Sequence, residues 1–245
     1  MNKTMIAVLV LLSLLAGSVL PVAAGGEATL SFFIGVVQAK SGEGEWQQAM
    51  FGQKLKGGDQ IKTAEESRAE LTLGNGSVVR IGEKTVYTLL ELSSSDDGST
   101  VKSQLSMGKV WSNVKKMTKK KSEFKIRTPT AIAAIRGTIY DMEIDKDTSA
   151  TVKVYDGEVE VSSPAPPPPP QEPTGFQAPK QTGGPQVIAP PRQVTMEQWV
   201  EVIKAQQQIF IARDGTKKVS EFDLKEDEKD DWVKWNKERD KQIKR

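Results

Sequence analysis

From residue 28 to residue 161 the chain runs in short stretches rich in Val, Ile, Thr, Phe and Tyr, with Gly, Asn, Asp and Ser between them. No other feature constrains the fold as strongly. Branched and aromatic side chains suit a pleated, half-buried surface, and the residues between them suit tight turns. Residues 29–39, 59–63, 84–92, 100–105, 109–114, 123–127 and 138–144 are expected strands, alongside two hairpins. About ten short strands in about 130 residues predict a mainly β domain, a roll, solenoid or sandwich.

In the first hairpin Leu71-Thr72-Leu73 and Val79-Arg80-Ile81 flank a Gly/Asn/Ser turn. A three-residue Asn75-Gly76-Ser77 loop sets Leu73 opposite Val79 and Leu71 opposite Ile81, with Gly76 at positive φ. In the second, Asp156-Gly157 is a favoured two-residue turn that places Val154 against Val159 and Val152 against Val161. Lys153, Tyr155, Glu158 and Glu160 then share the opposite face. Arg136-Gly137-Thr138 interrupts an otherwise apolar run. It predicts a bulge or close backbone approach at Gly137, with Arg136 bonding carbonyls or a carboxylate. The functional alternative makes Arg136 an anion receptor.

Residues 1–24 have the make-up of a secretory signal peptide: Lys3, an apolar run from Met5 to Ala16, and a small-residue exit at Val22-Ala23-Ala24. The apolar run is shorter than the about 20 residues a bilayer span requires. The expectation is an exported mature chain without a spanning segment, in the periplasm or at the cell surface. The β domain then covers residues 25–161. Residues 162–192 are proline-rich, including Pro166 to Pro170, and predict a stiff spacer.

Residues 193–245 are expected to form an amphipathic, charged tail of two helices. Thr195 and Gln198 make a capping pattern, and Met196, Trp199, Val200, Ile203 and Phe210 lie near one helical face. Asp223 and Glu226 cap the second helix, which carries Trp232 and Trp235 among alternating charges. So short and polar a tail cannot bury its own apolar surface. It must dock on the β domain, a second copy or a partner, which makes Trp199, Trp232 and Trp235 candidate partner-binding residues.

Cys and His are both absent. Their absence removes disulfides, thiolate nucleophiles, the commonest general base and the commonest transition-metal ligand. The acidic pairs Asp96-Asp97, Asp145/Asp147 and Glu65-Glu66 read as turns, because calcium loops need more oxygen ligands at regular spacing. No Ser sits in a Gly-x-Ser-x-Gly setting. The expectation is a non-enzyme without metal or cofactor. Lys115, Lys116, Lys119, Lys120 and Lys121 form a basic loop suited to an anion or glycan. Aromatics do not interleave with it, and the net charge is only +2, so nucleic acid is not an expected partner.

Several of these segments together resemble one family. Gly57-Gly-Asp-Gln-Ile-Lys-Thr63, Arg68-Ala-Glu-Leu-Thr-Leu73, Gly108-Lys-Val-Trp111, Phe124-Lys-Ile-Arg-Thr-Pro129, Ile135-Arg-Gly-Thr-Ile-Tyr140 and Thr151-Val-Lys-Val-Tyr-Asp-Gly-Glu-Val-Glu-Val161 follow in order. They are similar to the FecR domain of bacterial envelope regulators. The resemblance implies an exported, non-catalytic β domain used for protein interaction or sensing. A cleavable signal here stands where those regulators carry an anti-sigma segment and a membrane span. The leading expectation is a module that binds another envelope protein. The alternative is a cell-wall or glycan-binding module using the lysine loop and exposed aromatics such as Trp46 or Trp111.

Overall fold

The computed structural model describes residues 26–164 and 199–243. The N-terminal apolar segment, nearly all of the proline-rich stretch, and Thr195, Met196 and Gln198 lie outside the described residues. Among the described residues seventeen strands form one continuous hydrogen-bonded network that folds into two layers around a shared core. The mainly β architecture expected from the alternating pattern is what the chain adopts.

The first layer opens with β4 (Lys54–Leu55), β1 (Ala28–Ile34), β6 (Arg68–Leu73) and β7 (Val78–Ile81). It continues through the C-terminal half of β9 (Gly98–Asn113) to β12 (Ile139–Ile144), β13 (Ala150–Asp156), β16 (Gln207–Ile211) and β17 (Lys217–Glu221). The second layer opens with β3 (Gln47–Gln48), β2 (Val37–Lys40), β5 (Gln60–Thr63) and β8 (Val86–Ser95). It continues through the N-terminal half of β9 to β10 (Glu123–Arg127), β11 (Ile132–Ile135), β14 (Glu158–Ser162) and β15 (Val200–Lys204). Among the described strands only β9 and β10 pair in parallel.

Most connections cross from one layer to the other, so the chain winds around its core as a roll. Asp156-Gly157 is one such crossing, and here the expected hairpin is corrected. β13 pairs with β12 and β16, whereas β14 pairs with β11 and β15 in the opposite layer. Val152, Val154, Val159 and Val161 are all buried in the one core. The alternation therefore specified which side chains point inward and left the strand partners open. Gly157 sits at φ +82, and a Cβ there would lie 2.9 Å from the Gly137 carbonyl oxygen. Two glycine corners thus pack backbone against backbone where no side chain fits.

The β6–β7 hairpin forms with a different register from the expected one. Leu71 faces Val79 and Ala69 faces Ile81, around a Gly74-Asn75-Gly76 loop. Leu73 donates to the Ser77 carbonyl at 2.9 Å, and the Asn75 Oδ1 accepts from the Ser77 amide at 2.9 Å. The register slips by two residues, which keeps the same side chains buried, and Gly76 has the expected positive φ of 80°.

The first expected tail helix is also corrected. Residues 200–211 form β15 and β16, crossing layers at Ala205-Gln206. Ile203, Ile209 and Ile211 enter the core and Trp199 packs against it. Their period is two, and burying each such isoleucine contributes about 1.5–3 kcal/mol, more than helical propensity could offset. The segment beyond Phe222 is helical, as the Asp223 cap implies. The Asp223 carboxylate accepts from the Lys225 and Glu226 amides at the start of α1 (Leu224–Asp227). Asp230 accepts from the Trp232 amide at 2.7 Å and so starts α2 (Asp231–Ile243).

Candidate interaction surfaces

One row of side chains crosses the outer face of the first layer in register. It runs Phe32, Glu70, Arg80, Trp111, Asp141, Lys153 and Gln208, one residue per strand. Helix α2 lies over this row. Trp232, Trp235, Asn236, Arg239 and Asp240 recur at helical spacing and present one face to the sheet.

The contacts between them are mostly charge-assisted. Arg80 is 0 % exposed and donates from Nε to Glu70 at 2.7 Å and from Nη1 to Asp240 at 2.8 Å. Arg239 forks onto the same Glu70 carboxylate at 2.9 and 3.1 Å. Trp111 Nε1 donates to Asp240 and Trp232 Nε1 to Asp141, each at 2.9 Å. Beside them Lys153 and the Tyr155 hydroxyl both donate to Asp227. The Arg80 Nη2 is buried without a partner among the described residues.

Burial raises the Glu70 carboxyl, but the hydrogen bonds and charges of Arg239 and Arg80 outweigh it and hold Glu70 below its ordinary value. Asp141 has no comparable cation. Burial pushes it up to about 7, opposed only in part by the Trp232 N–H and the more distant Lys153 and Lys109. Burial and the nearby Asp141 and Asp227 carboxylates raise the Tyr155 hydroxyl as well.

At the rim of this docked face the composition changes to aromatic and arginine. Trp235 stacks on Trp232 with centroids 5.6 Å apart and lies 6.0 Å from Phe32. The Arg239 guanidinium sits 4.2 Å over the Phe32 ring, and Arg68 sits 5.0 Å over Trp235. Ile34, opposite Arg68 on β1 and β6, is 44 % exposed. Phe32, Ile34, Arg68, Trp235 and Arg239 make a half-exposed patch built jointly by sheet and helix.

Of the residues singled out in the sequence, Trp232 is 4 % exposed, buried between α2 and the sheet, while Trp235 is at the rim. Trp199 lies apart from both, against the core, with the Lys217 ammonium 4.9 Å over its ring. Trp111 is buried beneath the helix, which corrects its expected role as an exposed glycan-binding aromatic. Trp46 is half-buried beneath Lys62. Glu70, Arg80, Arg239 and Asp240 were not anticipated. The available signals were charges at alternating strand positions, and Arg239-Asp240 placed one and two turns beyond the two tryptophans.

The lysine loop lies elsewhere, between β9 and β10, and all five of its lysines are exposed. Arg136-Gly137-Thr138 holds it in place. Arg136 donates from Nε and Nη2 to the Met117 carbonyl at 3.3 and 3.1 Å, and the Thr138 carbonyl accepts from Val114. Gly137 lets the Lys116 stem lie flat, since a Cβ there would come within 2.7 Å of Lys116 Cγ. Among the described residues no group of three or more carboxylates is placed to hold a metal. Nor is any described helix long and apolar enough to cross a membrane.

Residues 59–160 match the family model described as FecR protein. A search of curated proteins found no match. Among solved structures, two crystal structures of a candidate anti-sigma factor from Parabacteroides distasonis, at 1.65 and 2.50 Å resolution, are similar to this chain. Identity is 19% and 20%, with a TM-score of 0.45 for each, covering 67% of this chain. The chain spans 60% of the length of that protein.

Proposed function

We propose that the chain is an exported, non-enzymatic interaction or sensing module that binds another envelope protein, a reading supported by the match of residues 59–160 to the FecR family model. The observation that carries this reading is the rim patch of Phe32, Ile34, Arg68, Trp235 and Arg239. Trp and Arg are enriched among the few residues that carry most of the energy of protein–protein recognition, and they act best as a pre-organised cluster that a partner can cover. Here the arginines are already fixed over the rings, Arg239 by its forked pair with the buried Glu70. A partner therefore meets side chains that lose little rotamer freedom on binding. The reading gives Trp235 a direct role and Trp232 a supporting one, as the ring on which Trp235 stacks.

The test is affinity capture from the envelope fraction of the native host, comparing the wild-type chain with Phe32→Ala and Trp235→Ala. Both variants should retain the β spectrum and lose at least one captured envelope protein. Capture of the same proteins in the same amounts by all three chains would sink the proposal.

A further inference from the structure

We propose that a second site, the cleft beneath the lysine loop, binds an anionic sugar unit, a saccharide ring bearing a carboxylate or phosphate. The cleft has a volume of about 310 Å³, at the small end of ligand sites and fitting a single ring. It stands apart from the rim patch and does not depend on the partner reading. Its walls supply Lys115, Lys116 and Lys119, several serine hydroxyls from the β8–β9 turn and Ser122, and no carboxylate. Three further clefts, one beside it at Glu27, one along β10 and β14 and one on the outer face of α2, each include at least one glutamate. A lining of ammonium groups and hydroxyls without a competing acid selects an anion that also carries hydroxyls.

Asn75 makes the point sharper. Its Oδ1 is committed to the Ser77 amide at 2.9 Å, which fixes the orientation of the side-chain amide. The Nδ2 that remains is buried at the wall of the cleft, which Asn75 helps to line, and has no hydrogen-bond partner among the described residues. An unsatisfied buried donor is costly to the fold, and a ligand oxygen that reached it on binding would remove that cost. Lys115 and Lys116 enter no ion pair among the described residues, whereas Lys121 is held by Asp97. Lys119 already reaches across to the Ser95 carbonyl at 3.3 Å. The loop is also pre-organised: Lys115 N donates to Ser77 Oγ, Arg136 grips the Met117 carbonyl, and Ser99 N donates to Ser122 Oγ. Arg136 thus serves as a positioning residue for the anion site. The lining lacks an aromatic ring, so a neutral sugar finds no stacking platform there.

The test is titration calorimetry of the full chain with galacturonate, with neutral galactose as control, and with polygalacturonate to separate a free sugar acid from a polymer end. Galacturonate should bind and galactose should not, with affinity falling as salt rises. Lys115→Gln and Lys119→Gln should each weaken binding about tenfold, the loss expected for one charge-assisted contact. Asn75→Asp keeps the acceptor for Ser77 and replaces the free donor by an anionic oxygen, so it should abolish binding without unfolding the chain. Lys120→Gln, which neutralises a loop lysine outside the lining, should leave affinity within about twofold. Equal losses for Lys120→Gln and Lys115→Gln would overturn the site in favour of diffuse charge. Binding that survives Asn75→Asp, equal affinity for galactose, or no galacturonate binding at all would overturn it too. Galacturonate binding alone assigns a free sugar acid. Tighter binding of polygalacturonate that remains sensitive to Lys115→Gln assigns a polymer.

Discussion

Asp141 and Glu70 are two buried carboxylates on the same face with opposite fates. Glu70 sits between two guanidinium groups and is held ionised. Asp141 receives one indole N–H and is raised to about 7. The sign of each contribution follows from linkage. For Asp141 the folded value lies above the unfolded one, so its contribution is full below about pH 3.8 and is lost as pH rises through about 7. For Glu70 the folded value is depressed, so its contribution is present at neutral pH and lost on acidification. Asp141→Asn removes the charge and keeps an oxygen to accept from Trp232. We predict equal melting temperatures for variant and wild type at or below about pH 3.8, and a progressively higher one for the variant as pH rises through about 7 toward pH 8. Circular dichroism melts at fixed ionic strength check this. A variant that melts below wild type at pH 8 would refute the assignment of a buried, poorly compensated charge. Charges such as Glu70, Arg80 and Asp141 stand in plain view in the sequence, at alternating positions within their strands. What the sequence withheld is that a helix more than 80 residues further on covers them.

At the scale of the element, the corners matter more than the turns. Gly157 joins the two layers at positive φ, with the Gly137 carbonyl where a side chain would begin. Gly157→Ala should therefore cost about 1–3 kcal/mol through backbone strain and the clash together. Urea unfolding reads the loss as a lower midpoint with an unchanged slope. A cost below about 0.5 kcal/mol, the level of an ordinary surface change, would show that the corner can relax. The same corner explains a limit of sequence reading. Valines alternating about Asp156-Gly157 satisfy a hairpin and a layer crossing equally well, because both turn Val154 and Val159 toward one core. The 200–211 segment exposes a second limit. Trp199, Val200, Ile203 and Phe210 fit a helical stripe, and Ile203, Ile209 and Ile211 fit a strand period. Val200 and Phe210 are 61 and 42 % exposed, so the strand pattern alone accounts for what is buried. Only the open edges of β13 and β14, invisible in the local sequence, decide between the two readings.

For the whole molecule, the strands after the proline-rich stretch and the helices after Phe222 contribute differently. β15 pairs along β14 and β16 along β13, so each closes an edge of a layer, and β17 covers β16 in turn. Removing residues 199–245 would leave one edge of β13 and one edge of β14 without a partner, and Val159, Val161 and Val152 uncovered at the end of the core. Removing residues 223–245 takes only α1 and α2, and exposes Trp111, Arg80 and Glu70 on an outer face while every strand pairing stays. We therefore predict that the longer deletion aggregates, since open apolar strand edges template association. The shorter deletion should stay monomeric and folded, with a lower melting temperature and a red-shifted Trp111 emission. Size-exclusion chromatography and tryptophan fluorescence of the two truncations decide the matter. If the shorter deletion also aggregates, the buried row beneath α2 belongs to the folding core. If it remains soluble, that row is a surface closed by a detachable helix. The rim patch of Phe32 and Trp235 then depends on the helix for its tryptophan and on the roll for its phenylalanine.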